Sequence, residues 1–367
     1  MQQLRVLFIG TNDLSGMSGG SICSMRNFDV LKRIFGADNV THYLLPAETR
    51  RTVLDKAKYY LSMISRKSVY KRLRLNPEQI MTYDIVYIDN AYVAGCIGDI
   101  KNLGFQGKII VFFHNCEYDF RLQDIGHVAG WKFWLHKQVV MHNERMALAT
   151  ADGCVFLTMR DYNREKAVYG MEPKEYVICP ITMPDTYNSS SPALQKEPHD
   201  KPVYTFVGSY FGPNIHALQW FVTNVLPYVN IRLRIVGKNM DRLRNDVDVT
   251  GIEIYSSVQE VTPYIIDSDY MLFPIFEGSG MKVKTCEALM YGKNIVGTPE
   301  AFEGYEIGDY SKVGACCADD KQFIAAINTL NMPACNPYSR QLFLSGYSNH
   351  SAERQFKQLV EALYKIV

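Results

Sequence analysis

The sequence predicts an α/β protein of two doubly wound parallel-sheet domains facing a central cleft. Short apolar runs rich in β-branched residues recur without period-two alternation, as parallel strands covered on both faces do. Helix-length segments separate them, which implies crossover connections and a sheet wound on both sides. The rhythm breaks once, at a polar stretch, and then restarts within a chain of 367 residues, too long for one ordinary core.

In the first half the strand candidates are Leu4–Ile9, Ile85–Ile88, Ile109–Phe113, Gly153–Leu157 and Val177–Cys179. The helix candidates are Ser21–Phe35, Ala129–Thr150 and Arg160–Tyr169. Residues 188–202 carry three prolines, many polar side chains and no periodicity, and are the expected linker. The second half offers strands at Val203–Val207, Arg232–Val236, Ile252–Ile254, Tyr270–Pro274 and Asn294–Gly297. Its helices are expected at His216–Val225, Val261–Ser268, Lys284–Tyr291, Lys321–Leu330 and Ser351–Ile366. The expected domains are therefore 1–187 and 203–350, with a closing helix in 351–367 that packs back on the first domain. Open parallel sheets bind ligands at their strand C-termini, so the site is expected where those ends face each other.

Composition is globular, with 47% hydrophobic and 21% charged residues, which excludes wholesale disorder. A formal net charge of +1 gives no global field for nucleic acid, so any electrostatic message is local. Nine cysteines form no Cys-x-x-Cys pair, and the odd count fits a reducing compartment. The opening Val-Leu-Phe-Ile-Gly is too short for a signal segment or a membrane span and reads as a first buried strand. A cytoplasmic location follows as the expectation.

The strongest local signal runs from Phe273 to Lys293. A buried strand ends at Pro274, a Gly-Ser-Gly turn follows, and a helix begins near Met281. Glycines let backbone amides approach an anion, and a helix N-terminus favours negative charge. Ser279, Gly280 and Met281 would supply amides, Lys282 and Lys284 would neutralise a diphosphate, and Glu287 would accept bonds from a ribose diol. The same residues also suit a tight turn with surface lysines, since a lone glycine-rich loop is a weak signal.

These residues carry a resemblance. Gly-Ser-Gly-Met-Lys-x-Lys-x-x-Glu-Ala-Leu-x-x-Gly-Lys, followed by Ile295-Val-Gly-Thr-Pro and Glu303-Gly304, resembles the donor-binding segment of the glycogen-synthase-like retaining glycosyltransferases. It is similar in particular to the bacterial branch that builds surface polysaccharides. Phe206-Val-Gly208-Ser, Pro213-Asn214, Trp220-Phe221 and Val236-Gly237-Lys238 resemble earlier parts of the same C-terminal domain. The resemblance implies a GT-B fold, with two Rossmann-like domains: an acceptor-side domain and a nucleotide-sugar-binding domain. It adds Gly208 and Lys238 to the donor-binding residues. Two positions depart from the family pattern. Ser279 stands eight residues before Glu287, where the family often has glutamate, and 208–214 lacks the usual Arg or Lys.

In the first domain, Gly19-Gly20 precedes Ser21, which suits a helix N-cap. The loop resembles the family's glycine-rich loop facing the donor diphosphate; a plain strand–helix turn would read the same way. It lacks Gly-x-Gly-x-x-Gly, which argues against a dinucleotide. His114 follows a buried strand and is placed to bond a sugar hydroxyl or carry a proton, or to serve a structural role. Glu144-Arg145 reads as a pair of helix-surface or structural charges. Residues 50–74 hold nine Lys or Arg against one acid, Asp55, with apolar residues interleaved. That is a solvated basic helix or a surface for anionic membrane on the inner face.

The resemblance implies a retaining, hexosyltransferase-like enzyme. It would move sugar from a nucleoside diphosphate-sugar, its substrate, to a glycan or lipid-linked hydroxyl in polysaccharide or glycolipid biosynthesis. No cofactor or metal is expected, because amides with Lys282 and Lys284 can neutralise the leaving diphosphate. His114 would orient the donor sugar. The alternatives are a nucleotide-sugar epimerase or hydrolase on the same fold and a non-catalytic nucleotide-binding partner protein.

Overall fold

The computed structural model describes residues 4–11, 14, 19–124, 130–187, 199–278 and 280–365. The chain forms two compact units, residues 1–180 with 349–367, and residues 181–348. Residues 188–198 of the expected linker lie outside the described residues.

The first unit is a parallel sheet of β1 (Val6–Gly10), β2 (Val40–Leu44), β3 (Ile85–Ile88), β4 (Lys108–Phe113), β5 (Gly153–Phe156) and β6 (Tyr176–Ile178), ordered β2-β1-β3-β4-β5-β6. Its helices are α1 (Gly19–Phe35), α2 (Val53–Arg66), α3 (Pro77–Ile80), α4 (Cys96–Asn102), α5 (Glu117–Asp124), α6 (Trp131–Thr150) and α7 (Met159–Tyr169). Strands β1, β3 and β5 are buried along their whole length, as unbroken apolar runs require when helices cover both faces. Edge strand β2, absent from the sequence expectation, mixes Thr41 and His42 with Tyr43 and is only partly covered. The α1 helix opens at Gly19, so Ser21 lies inside its first turn and is not the N-cap.

The second unit repeats the scheme with β7 (Val203–Val207), β8 (Arg232–Gly237), β9 (Glu253–Ser256), β10 (Tyr270–Phe273), β11 (Asn294–Gly297) and β12 (Gly314–Cys316). The order is β12-β11-β10-β7-β8-β9, all parallel. Its helices are α8 (Gly212–Asn224), α9 (Thr262–Asp267), α10 (Val283–Met290), α11 (Asp320–Thr329) and α12 (Pro337–Leu342). The last helix, α13 (Asn349–Tyr364), returns to the first unit and lies against α1. Its Phe356 ring sits 5.8 Å from that of Tyr87, and Leu359 and Leu363 close over Gly153, where a Cβ would meet Leu359 at 3.1 Å.

Both sheets have a switch point, where the strand order reverses. It falls between β1 and β3 in the first unit and between β7 and β10 in the second. Loops at such a point diverge and leave a crevice beyond the strand ends.

Glu144 on α6 is fully buried and lies off the helix surface, which settles one of its two expected readings. It accepts bonds from the Glu117 N–H (2.6 Å) and the Tyr169 hydroxyl (2.5 Å). Glu165 on α7 is equally buried, grouped with Glu144 and the Cys116 thiol. Burial raises the Glu165 carboxyl far above its ordinary range, and the charge of Glu144 adds to the effect. The proton held in the fold is lost from the unfolded chain once pH passes about 4.3, so stability falls as pH rises above that value. Glu165→Gln keeps the shape without the titration. It is expected to raise the unfolding midpoint at pH 8 more than at pH 5; an equal shift at both would contradict this.

Candidate functional site

Two loops leave the switch point of the second sheet, one after β7 and one after β10. The β10 loop turns at Gly280, whose φ of +62° is costly for any residue with a side chain. Lys282 occupies the N-cap position and α10 starts at Val283, two residues later than the sequence suggests. Among the described residues the N–H groups of Met281, Val283 and Lys284 meet no protein acceptor. They are the orphan donors that every helix start leaves.

The two expected lysines differ in role. Lys282 Nζ bonds the Glu300 carboxylate (2.6 Å) and the Gly280 carbonyl (2.9 Å), so it braces its own loop. Tyr305 adds a bond from its hydroxyl to the Lys282 carbonyl (2.8 Å). Lys284 reaches the first turn of α8, where Nζ donates to Asn214 Oδ1 (2.9 Å) and lies 4.4 Å from the Phe206 ring centre. It has no acidic partner within 4 Å among the described residues. Its ammonium is desolvated and faces the Lys282 charge, which together lower its pKa to about 7. A cation held without a counter-ion is poised to take one from a ligand.

Gly208 completes this junction. A Cβ there would lie 2.9 Å from Asn214 and 3.1 Å from Lys284 Nζ, so only glycine leaves room for the ammonium. Its own N–H is engaged with the Val236 carbonyl (3.0 Å) and is not available to a ligand. Lys238, just beyond β8, is exposed, and its carbonyl accepts the Tyr210 N–H. Glu287 is half-buried in α10, and burial lifts its carboxyl to about 7. Met281 is buried, with its sulfur accepting the Ile181 N–H. Ser279 lies outside the described residues. Glu277 is exposed, 3.9 Å from His216.

In the first unit, His114 follows β4 and is nearly buried. Its Nε2 lies 2.6 Å from the Asp89 carbonyl and 3.4 Å from the Asp89 carboxylate. Burial opposes its charge, but the Cys23 thiol and Asp89 outweigh it and raise its pKa well above the usual range. The raised pKa favours the protonated ring, and Nε2 is already engaged by the Asp89 carbonyl. Gly19 and Gly20 form the first residues of α1, on the chain that leaves β1 at the switch point.

Sequence reasoning left Asn214, Phe206, Glu300 and Asp89 out of the candidate set. Asn214 was within reach, since Pro213-Asn214 directly follows the first strand of the second unit. The sequence also contains two Asp-x-Asp triplets, and each acid in them has a structural partner. Asp246 accepts the Tyr210 hydroxyl, Asp248 holds the Thr250 turn, Asp267 pairs with Arg234 and His199, and Asp269 accepts the Val203 N–H.

This geometry and topology place the protein among GT-B chains. The sucrose-phosphate synthase of Thermosynechococcus elongatus superposes with a TM-score of 0.68 at 12% identity, covering 99% of this chain and 100% of that one. HepE of Anabaena, solved with UDP and glucose, gives 0.66 at 10% identity over 98% and 100%. The lipopolysaccharide outer core galactosyltransferase WaaB gives 0.64 at 13% identity over 98% and 99%. No curated protein matches in sequence. Residues 201–331, within the second unit, match the family model described as Glycosyl transferases group 1.

Proposed function

We propose that this protein is a retaining, metal-independent glycosyltransferase acting in surface polysaccharide or glycolipid assembly. It moves a hexose from a nucleoside diphosphate-sugar to a hydroxyl acceptor. One observation carries the reading: Lys284, with no acidic partner among the described residues, meets Asn214 and Gly208 beside the open N–H groups of α10 at the sheet's switch point. That is a diphosphate site, and HepE, a chain of the same fold, was solved with UDP and with UDP-glucose.

The roles follow from the chemistry. The bond between the anomeric carbon and the donor phosphate breaks, and the acceptor oxygen bonds the same face. The departing phosphate takes the acceptor proton. Lys284 and the α10 amides stabilise the charge that develops on the diphosphate. Lys282 and Glu300 hold the Gly280 turn in place, Lys238 adds positive charge at the rim, and Glu287 receives the ribose diol. In the first unit, His114 is assigned to the donor sugar and Gly19 and Gly20 to the donor diphosphate.

Peripheral attachment to the cytoplasmic membrane face through residues 50–74 would bring a lipid-linked acceptor to the site. Among the described residues, no helix is long and apolar enough to cross a membrane.

A thermal-shift screen of UDP, GDP and their sugars tests the donor assignment, since a ligand that binds only the folded state raises its melting point. At least one nucleotide-sugar is expected to do so. A flat response to all of them sinks the proposal. Product analysis by NMR then reads the anomeric configuration, and sugar released without acceptor would favour a hydrolase instead.

A further inference from the structure

The α2 helix presents two unlike faces. Tyr59, Ser62 and Met63 are buried, and Tyr59 and Met63 pack with Leu135 and Val139 of α6. Val53, Leu54, Leu61 and Ile64 point outward, at 85%, 63%, 63% and 56% exposure. These four share one side of the helix by its 3.6-residue period. Trp131 and Trp134 on α6 are exposed as well, and the Trp131 ring lies 4.9 Å from that of Tyr60. Exposed tryptophan and aliphatic residues next to lysine and arginine are the composition of an interfacial surface.

A cavity of about 490 Å³ opens beside this row, with Leu61 in its wall. Lys58, Arg66, Lys71, Arg72 and Arg74 line it with Glu48 and Asp55. One acid neutralises a cation of the same wall and the other is held by its own helix start. Glu48 pairs with Arg66 at 3.3 Å, and Asp55 accepts the Thr52 N–H in the α2 capping box. Arg66 is tied further to Ser62 and the Tyr70 carbonyl. Lys58, Lys71, Arg72 and Arg74 have no acid within 4 Å among the described residues. Four cations around a cavity of that size call for a compact polyanion, and two guanidinium forks favour phosphate geometry over a single carboxylate.

We propose that this cavity receives the terminal phosphate group of a membrane lipid headgroup, while the α2 row and the two tryptophans enter the acyl boundary. The proposal rests on the reading of the first unit as membrane-facing and adds the headgroup chemistry to it. The apolar row argues for a lipid over a soluble phosphate, because a soluble ligand leaves that row without a partner.

The test is vesicle co-sedimentation with phosphatidylcholine alone, with added phosphatidylserine, or with added phosphatidate at matched surface charge. Phosphatidate vesicles are expected to bind about tenfold more tightly than phosphatidylserine vesicles. Lys71→Ala/Arg72→Ala/Arg74→Ala should remove that preference and keep the residual binding to anionic vesicles. Leu61→Ser/Ile64→Ser should weaken binding to every anionic vesicle and keep the preference. These residues are on the surface, and unchanged circular dichroism confirms that the variants fold. Equal binding to the two anionic lipids, or a triple variant that retains the preference, overturns the proposal. Saturable binding of inorganic phosphate without vesicle association overturns the lipid assignment. The nucleotide-sugar thermal shift is read on the same proteins: its loss in the wild type would sink the transferase reading and leave the headgroup result standing.

Discussion

Lys284→Ala is expected to lower sugar-transfer turnover by on the order of 10²-fold or more, the size of losing one transition-state charge contact. That corresponds to about 2.7 kcal/mol of barrier. The structure gives the reason. Lys282 is neutralised by Glu300, whereas Lys284 has the neutral Asn214 amide and two aromatic rings beside it and, among the described residues, no acid within 4 Å. Its pKa of about 7 means that the ligand-free protein holds it partly deprotonated at neutral pH. A bound diphosphate favours the ammonium, so donor binding takes up a proton. Donor affinity is therefore expected to fall as pH rises above 7. Titration calorimetry in buffers of different ionisation heat measures that uptake directly. The folded state disfavours the charge, so removing Lys284 should not weaken the fold. Near-normal turnover in the variant, or donor affinity flat from pH 6.5 to about 9, would show that the diphosphate is held elsewhere.

The second large effect is expected from Gly237→Ala at the end of β8. Gly237 has φ of +154°, and a Cβ there would lie 1.8 Å from the Gly208 carbonyl oxygen. No side-chain rotamer relieves a clash with backbone. The two segments are also laced together, Gly208 N–H to Val236 and Tyr210 N–H to Lys238, so the whole β7 loop must move. That loop runs into the first turn of α8, which carries Asn214, and leaves the space that Lys284 fills. Alanine is expected to cost about 2–4 kcal/mol of stability and to weaken donor binding about tenfold. Urea unfolding and a nucleotide titration measure the two. Unchanged stability would mean that the loops yield at no cost, and the junction is then not rigid.

Most of the sheet is legible in the chain because its inner strands are buried on both sides. Val6–Gly10 and Ile85–Ile88 are buried along their whole length and Val203–Val207 nearly so; their apolar and aromatic runs, interrupted by Gly10 and Thr205, are visible without neighbours. The edge strands β2 and β12 carry His42 and Gly314 and lose the pattern, whereas the other two edge strands, β6 and β9, keep enough of it to be read. The Gly280–Glu287 segment is readable because one turn and one helix present it. Its partner Asn214 stands 70 residues away from Lys284, and no local pattern links the two. The opposite roles of Lys282 and Lys284 are equally invisible in sequence, since Glu300 reaches Lys282 only through the fold. Glu144 shows the same limit: its burial comes from α7 and Tyr169, not from its own helix.

The placement of α13 has a consequence for biosynthesis. The chain leaves the first unit after Pro180 and comes back at Asn349, so the second unit is an insertion within the first. During translation the inserted unit is synthesised entirely before the helix that seals its host. The N-terminal sheet must wait on the ribosome with the α1 flank, Tyr87 and Gly153 uncovered until Asn349–Tyr364 emerges. Truncation before Asn349 therefore strands the earlier-made unit in an unfinished state, while the later-made one has every strand and helix it needs.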